Sequence, residues 1–419
     1  MNILDSASEP ISTIAGLGAI FTLGVLGLGF AWGALRAPSM VRTLSIVAYL
    51  GHVVAGIVLL EVFGLDASDA GGYHQTATQL AAYMTGDVSS GPVVTSGKEG
   101  WVWLLGVTYA FMGPVEVVGV FYNAFFLALI PVCMYQLTNE IASPRAGRVC
   151  ALMSFFVPSY WYWGSMPLRE ALVSLLVALL ILFATRAARH GKFSTWFCVA
   201  LTLALLVFVR GGTAVLLAAA IIAAMVLSSA RGRTAKGRWP LLIFGGTAVA
   251  GLAAVAFQAV AREVSFERIS ATRTAQSADA ATTFQVSGYV DSWASLVVNG
   301  ARVFPRVLIG PFPWEIQGAI IPLVPFAVFW WLVLFLSVGG LMSRRVGGFW
   351  PFLILPTFAL LIALAVYSGN YGTMVRLRDQ ALPMLLPLAA VGLQRFSRPR
   401  LALPATAVAL RATRTRPQR

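Results

Sequence analysis

The chain has 419 residues, of which 58% are hydrophobic and only 11% charged, against a charged share of roughly 25% in soluble domains. That excludes a soluble globular fold, which cannot hide so much apolar surface; a bilayer can, because a helix of about 20 apolar residues matches its hydrocarbon core and satisfies its own backbone. The formal charge of +14 does not indicate nucleic acid, since Lys and Arg fall mostly in short loops between apolar runs, the pattern of cytoplasmic loops.

The runs are rich in Ala and Leu and do not alternate as barrel strands would. They predict an all-α integral membrane protein with about eleven transmembrane helices. The expected spans are 11–35, 43–63, 115–137, 147–162, 168–185, 193–209, 211–229, 239–260, 319–341, 348–367 and 380–394. The two runs flanking Arg210-Gly211-Gly212 are too long together for one helix of ordinary tilt, so a tight hairpin of two short spans is expected. Residues 101–113 are too short to cross comfortably and read as an interfacial helix anchored by Trp101 and Trp103.

Basic clusters then put the amino terminus outside and the carboxyl terminus in the cytoplasm. The polytopic domain covers 1–396, with outer loops at 64–114 and 261–318, and 397–419 is a basic cytoplasmic tail. Asp5 and Glu9 stand where a cleavable leader would be basic. Cys133, Cys150 and Cys198 lie in apolar runs at no metal-ligand spacing and read as packing residues. No internal repeat and no inverted pair of broken helices marks a transporter.

Charge at the outer membrane edge needs a reason, because buried ions are costly. In DASDAGGYHQTA (66–77), Asp66 and Asp69 precede Tyr73 and His74. A carboxylate here can take a proton from a hydroxyl nucleophile; equally, either acid can cap a helix starting near Tyr73. His74 alone does not argue for a metal, and no cofactor is expected. In WYWGSMPLRE (161–170), Pro167 suits a first helical turn and Glu170 suits the helix dipole, whereas Arg169 calls for an anionic partner, Glu170 or another acid.

Arg210 sits at the tip of the expected hairpin, and NYGTMVRLRDQ (370–380) puts Arg376 and Arg378 outward between two spans. The planar guanidinium matches phosphate, so these arginines can hold a lipid phosphate, or simply pair with Asp379, Glu315 or ordinary phospholipid heads. There is no Walker loop, no G-x-G-x-x-G on a strand, no H-E-x-x-H and no cytoplasmic acidic pair. Any donor must be reached from the membrane or the outside.

The order D-x-x-x-Y-H-x-x-A (Asp69 to Ala77), KEGWVWLLGVTYAFMG (98–113) and VEVVGVFYNAFFLALIPVCMYQLTNEI (115–141) resembles polytopic GT-C glycosyltransferases of the family-39-like group. That group includes protein O-mannosyltransferases, lipid A aminoarabinose transferases and bacterial cell-envelope relatives. SMPLREAL (165–172), PFPWE (311–315) and NYGTMVRLRDQALP (370–383) resemble members found with exopolysaccharide genes.

The resemblance implies a polyprenyl-phosphate-linked sugar donor and a glycan, lipid or protein acceptor at the outer face of a bacterial plasma membrane. It also implies a general base in the first outer loop: Asp69 matches the motif and Asp66 is the runner-up. Placement assigns Arg376, Arg378, Arg210 and Arg169 to the donor phosphate, and Tyr73, His74, Lys98, Glu99, Glu170 and Asn370 to substrate binding.

The chain departs from the family in that its acids are three apart, an extra span precedes the first outer loop, and no large carboxyl-terminal outer domain is seen. Two alternatives stand beside this reading. One is a polysaccharide polymerase or ligase that uses undecaprenyl-linked glycans and leans on arginines; the other is a lipid or glycan flippase, whose charges would line a midplane cavity.

Overall fold

The computed structural model describes residues 10–64, 68–94, 97–230, 251, 265–278, 282–283, 290–343 and 346–397. Among them every regular element is helical, apart from a lone antiparallel bridge between Thr283 and Asn370. Helices α1 (Pro10–Ala34) and α2 (Ser39–Ile57) come first, and a π-helical turn, Val58–Val62, extends the second. The first exposes Ile14, Leu23 and Phe30 and the second Val54, apolar side chains suited to contact with lipid.

Helices α3 (Ser68–Thr85) and α4 (Glu99–Met112) pack on one another through buried Ala77, Leu80, Leu105 and Tyr109. Trp101 is fully buried in this cluster, so it is a core residue and not the interfacial anchor expected; Trp103 is exposed. The centre of the fold is formed by α5 (Val117–Ile141) and α8 (Glu170–His190), apolar and buried on nearly every face. Around them lie α6 (Pro144–Phe155), the short α7 (Pro158–Tyr162) and α9 (Phe193–Ala230). The later elements are α10 (Phe266–Ala278), α11 (Trp293–Ile309), α12 (Val324–Leu341), α13 (Pro351–Tyr367), α14 (Tyr371–Arg378) and α15 (Leu382–Phe396).

A straight helix of 38 residues would run about 57 Å, with its ends on opposite sides of a membrane. In α9, however, Arg210 leaves helical geometry (φ −157, ψ 79). Beyond it, Ser228 donates to the carbonyl of Gly348 at 3.3 Å, and the Arg189 guanidinium lies 6.0 Å from the ring of Phe349. Arg189 is four residues before Phe193, so both ends of α9 meet the same end of the bundle. Arg210 is at the opposite end, beside Glu170. The expected hairpin holds.

Seven helices among the described residues are long and apolar enough to cross a membrane, where about eleven spans were expected. The two hairpin arms, joined through the kink at Arg210, count once among the seven, and Pro158 cuts the expected 147–162 span into α6 and α7. The 380–394 span becomes the 15-residue α15, and the 239–260 span lies outside the described residues but for residue 251, as does all of the expected tail but Ser397. At the end of the bundle away from Arg210, Glu140 accepts from Nε of Arg186 at 3.0 Å and lies 3.6 Å from Arg189. Helices α12 and α15 approach closely at Gly340 and Gly392, where a side chain on either would meet the other helix's backbone.

Candidate active site

Helix α3 begins at Ser68, five residues before Tyr73, which puts Asp69 in its first turn. The carboxylate turns across the fold: its Oδ2 accepts from Nη2 of Arg376 at 2.8 Å. Nε of Arg376 lies 3.5 Å from Oε1 of Glu170, and the same oxygen lies 3.3 Å from Nη2 of Arg210. The other Glu170 oxygen is buried without a hydrogen bond. Asp69, Arg376, Glu170 and Arg210 thus form a continuous line of alternating charge drawn from α3, α14, α8 and the α9 turn.

Exposure falls along that line from Asp69 to Glu170. The Asp69 side chain is 37% exposed, whereas Glu170 keeps only 9%. The acid at the open end borders a cleft of about 230 Å³. Asp69, Tyr73, Thr76 and Lys98 form its polar side, and Val93, Val94 and Val102 its apolar side. The Lys98 ammonium lies 5.4 Å from the centre of the Tyr73 ring.

Partial burial of Asp69 works to raise its pKa, but Arg376, through both charge and hydrogen bond, outweighs that, with help from Lys98 and Arg169; the carboxyl is held below the ordinary range. Burial pushes the Tyr73 hydroxyl up, against Arg169 and with Glu170, so it is a neutral hydrogen-bonding group at physiological pH. The two carboxylates face four cations, Arg376, Arg210, Arg169 and Lys98, leaving a surplus of positive charge suited to an anionic ligand.

A sequence model of a family described as dolichyl-phosphate-mannose-protein mannosyltransferase matches residues 100–257. No curated protein sequence matches the chain. Among solved structures, ArnT from Cupriavidus metallidurans bound to undecaprenyl phosphate aligns with a TM-score of 0.52 at 13% identity, over 88% of this chain and 63% of ArnT. The chain has the GT-C fold. The archaeal oligosaccharyltransferase AglB from Archaeoglobus fulgidus, in complex with an inhibitory peptide and a dolichol-phosphate, aligns with a TM-score of 0.50 at 12% identity, over 90% of this chain and 54% of AglB. The chain therefore spans less than two thirds of the length of either structure.

Several expected site residues are placed elsewhere in this GT-C fold. Arg378 lies two positions from Arg376, about 200° around the helix, and points away from the cleft. It is 1% exposed, donates to the carbonyl of Gly310 at 2.6 Å and stacks 4.8 Å over Trp330. Neither arginine pairs with Glu315, which instead takes Arg306 and the Tyr371 hydroxyl. Asn370 caps α14, accepting from the Thr373 amide at 2.7 Å, and so positions Arg376 without reaching the cleft.

Arg169 has backbone partners where an acid was expected: its Nη1 donates to the carbonyls of Gly97 and Val209. Pro167 precedes α8, which starts at Glu170. His74 bonds to the Tyr109 hydroxyl at 3.0 Å, and Glu99 opens α4 without an ion pair to the cluster. Asp66 lies outside the described residues. Among the described residues no three His, Cys, Asp or Glu side chains gather to hold a metal ion.

Sequence reading missed the wall formed by Val93 and Val94, which carry no chemical signal. It also took Asp379 only as an arginine's counter-ion. Asp379 is buried beside Ser159 and Gln380, and burial, opposed by Ser159 and Arg378, pushes its pKa up to about 7.

Proposed function

We propose that the chain is a membrane glycosyltransferase that moves a sugar from a polyprenyl-phosphate-linked donor to an extracytoplasmic acceptor hydroxyl, in cell-envelope or exopolysaccharide assembly. The observation that carries this reading is the 2.8 Å contact between Asp69 and Arg376 at the mouth of a cleft, in a chain with the GT-C fold. ArnT is bound to undecaprenyl phosphate and AglB to a dolichol-phosphate, which supports a lipid phosphate as the donor's leaving group. On this reading the bundle end that carries Asp69 faces outward, and the end that carries Glu140 with Arg186 and Arg189 faces the cytoplasm of a bacterial plasma membrane.

In the proposed reaction Asp69 takes the proton from the acceptor hydroxyl, whose oxygen attacks the anomeric carbon. The bond from that carbon to the lipid phosphate breaks, and its electron pair stays on the phosphate oxygen. Lys98, Arg376 and Arg210 supply positive charge for the departing phosphate, while Tyr73 and Thr76 offer hydrogen bonds to a sugar or acceptor hydroxyl. Asp69 bound to Arg376 is a weak base. A donor phosphate that draws Arg376 toward itself would loosen that contact and strengthen the base, so that proton abstraction follows donor binding.

The test is to purify the full chain in native lipid, identify co-purifying polyprenyl phosphates by mass spectrometry, and supply labelled lipid-linked sugars from membrane extracts. Release of free polyprenyl phosphate, dependent on an acceptor fraction, is the expected result. Absence of both bound carrier and consumed donor would overturn the reading.

A further inference from the structure

Arg273, on α10, differs from every arginine of the charged line. It is only 4% exposed, it makes no ion pair among the described residues, and its Nη2 is buried without an acceptor. Burial lowers its pKa, with no acid among the described residues to offset the effect, whereas Glu170 and Asp69 together raise that of Arg376 against its burial. An unpaired buried cation is expensive, and an anion brought beside it would offset that cost.

The surroundings indicate which anion. Phe266, at the start of α10, meets Trp293 edge-on at 5.1 Å, and Trp293 is 73% exposed. Exposed tryptophans at the end of a bundle sit at headgroup level. The loop packed against α10 contributes Ser368, whose hydroxyl is buried and also without a partner; the next residue, Gly369, abuts the Arg273 carbonyl.

We propose that Arg273 forms a second anion site, separate from the Asp69 cleft, that takes the phosphate of a lipid headgroup at the membrane surface. Occupancy would steady α10 against the segment that leads into α14. Gln276, one turn on, accepts from the Gly369 amide at 3.0 Å, and its carbonyl accepts from Asn370 at 2.6 Å. Asn370 caps the helix that presents Arg376. The proposal does not rest on the transferase reading, because its readout is binding and not turnover.

The experiment measures Tm of the delipidated full chain in neutral detergent, alone and with dioctanoyl phosphatidylglycerol, dioctanoylglycerol or inorganic phosphate, for wild type, Arg273→Met and Arg273→Lys. Phosphatidylglycerol should raise the wild-type Tm by several degrees, dioctanoylglycerol should not, and Arg273→Met should lose the shift while Arg273→Lys keeps part of it. A shift with phosphatidylglycerol alone marks a lipid headgroup; an equal shift with inorganic phosphate marks a site open to free anions; both support the anion site. Without additive, Arg273→Met should be at least as stable as wild type, since it loses no partner. Equal shifts in wild type and Arg273→Met, no shift in either, or a marked loss of stability in additive-free Arg273→Met would overturn the proposal.

Discussion

Arg376 and Asp69 are 307 positions apart in sequence, yet Nη2 of one lies 2.8 Å from Oδ2 of the other. The contact joins α3 to the helix before α15, and it puts the exposed acid and a nearly buried cation at one cleft mouth. Each half of the proposed chemistry, base and phosphate clamp, therefore controls the other. Asp69→Asn keeps the shape and removes the base. Transfer should fall by about 10²–10⁴-fold while carrier lipid still co-purifies, read by turnover and lipid mass spectrometry on the same sample. Full activity in Asp69→Asn together with loss in the arginine variants would point to the polymerase or ligase reading instead.

Arg376→Lys preserves charge but cannot span two carboxylates with a planar fork. Donor KM should rise and kcat fall, and the Asp69→Asn/Arg376→Gln pair should be strongly non-additive. Additive effects in that double-mutant cycle would mean the two side chains act separately.

Glu170 holds Arg376 and Arg210 with one oxygen. Glu170→Gln leaves Arg210 without its counter-charge and Arg376 with Asp69 alone, and losing one member of a buried ion pair typically costs about 3–5 kcal/mol. Thermal unfolding should show a large drop in Tm; a shift below one degree would show that the cluster is not tightly coupled.

The two acids respond to pH in opposite ways. The Asp69 pKa is depressed, so its stabilising contact is complete above the unfolded value of about 3.9 and is lost only as pH falls through the lower folded value. The Asp379 pKa is raised to about 7, so its contribution is greatest below about 3.9 and is lost as pH rises toward 7. Asp379→Asn should therefore gain stability over wild type at pH 8 and gain less at pH 5. An equal difference at both values would show that Asp379 does not titrate in this range.

Gly392→Ala should disrupt α12 and α15, because a Cβ there collides with the carbonyl oxygen of Leu336. Overpacking of this kind costs about 1–3 kcal/mol, to be read as a lowered Tm of the purified chain. Gly18→Ala, with open space around the Cβ position, is the matched control and should be neutral.

Composition and the spacing of apolar runs determined the membrane-spanning helical class, most span positions and the turn at Arg210, because lipid forces each crossing segment to satisfy its own backbone along contiguous sequence. Resemblance of short motifs pointed to Asp69 and to the GT-C fold. Which arginine meets that acid was decided only in three dimensions. Arg376 and Arg378 look alike in sequence, but two residues' rotation on α14 sends one to Asp69 and buries the other against Trp330. Arg169, expected to need an acid, is held by carbonyls of Gly97 and Val209. A side chain's partner depends on the direction it leaves its helix and on what distant segment is packed there, and local sequence carries neither.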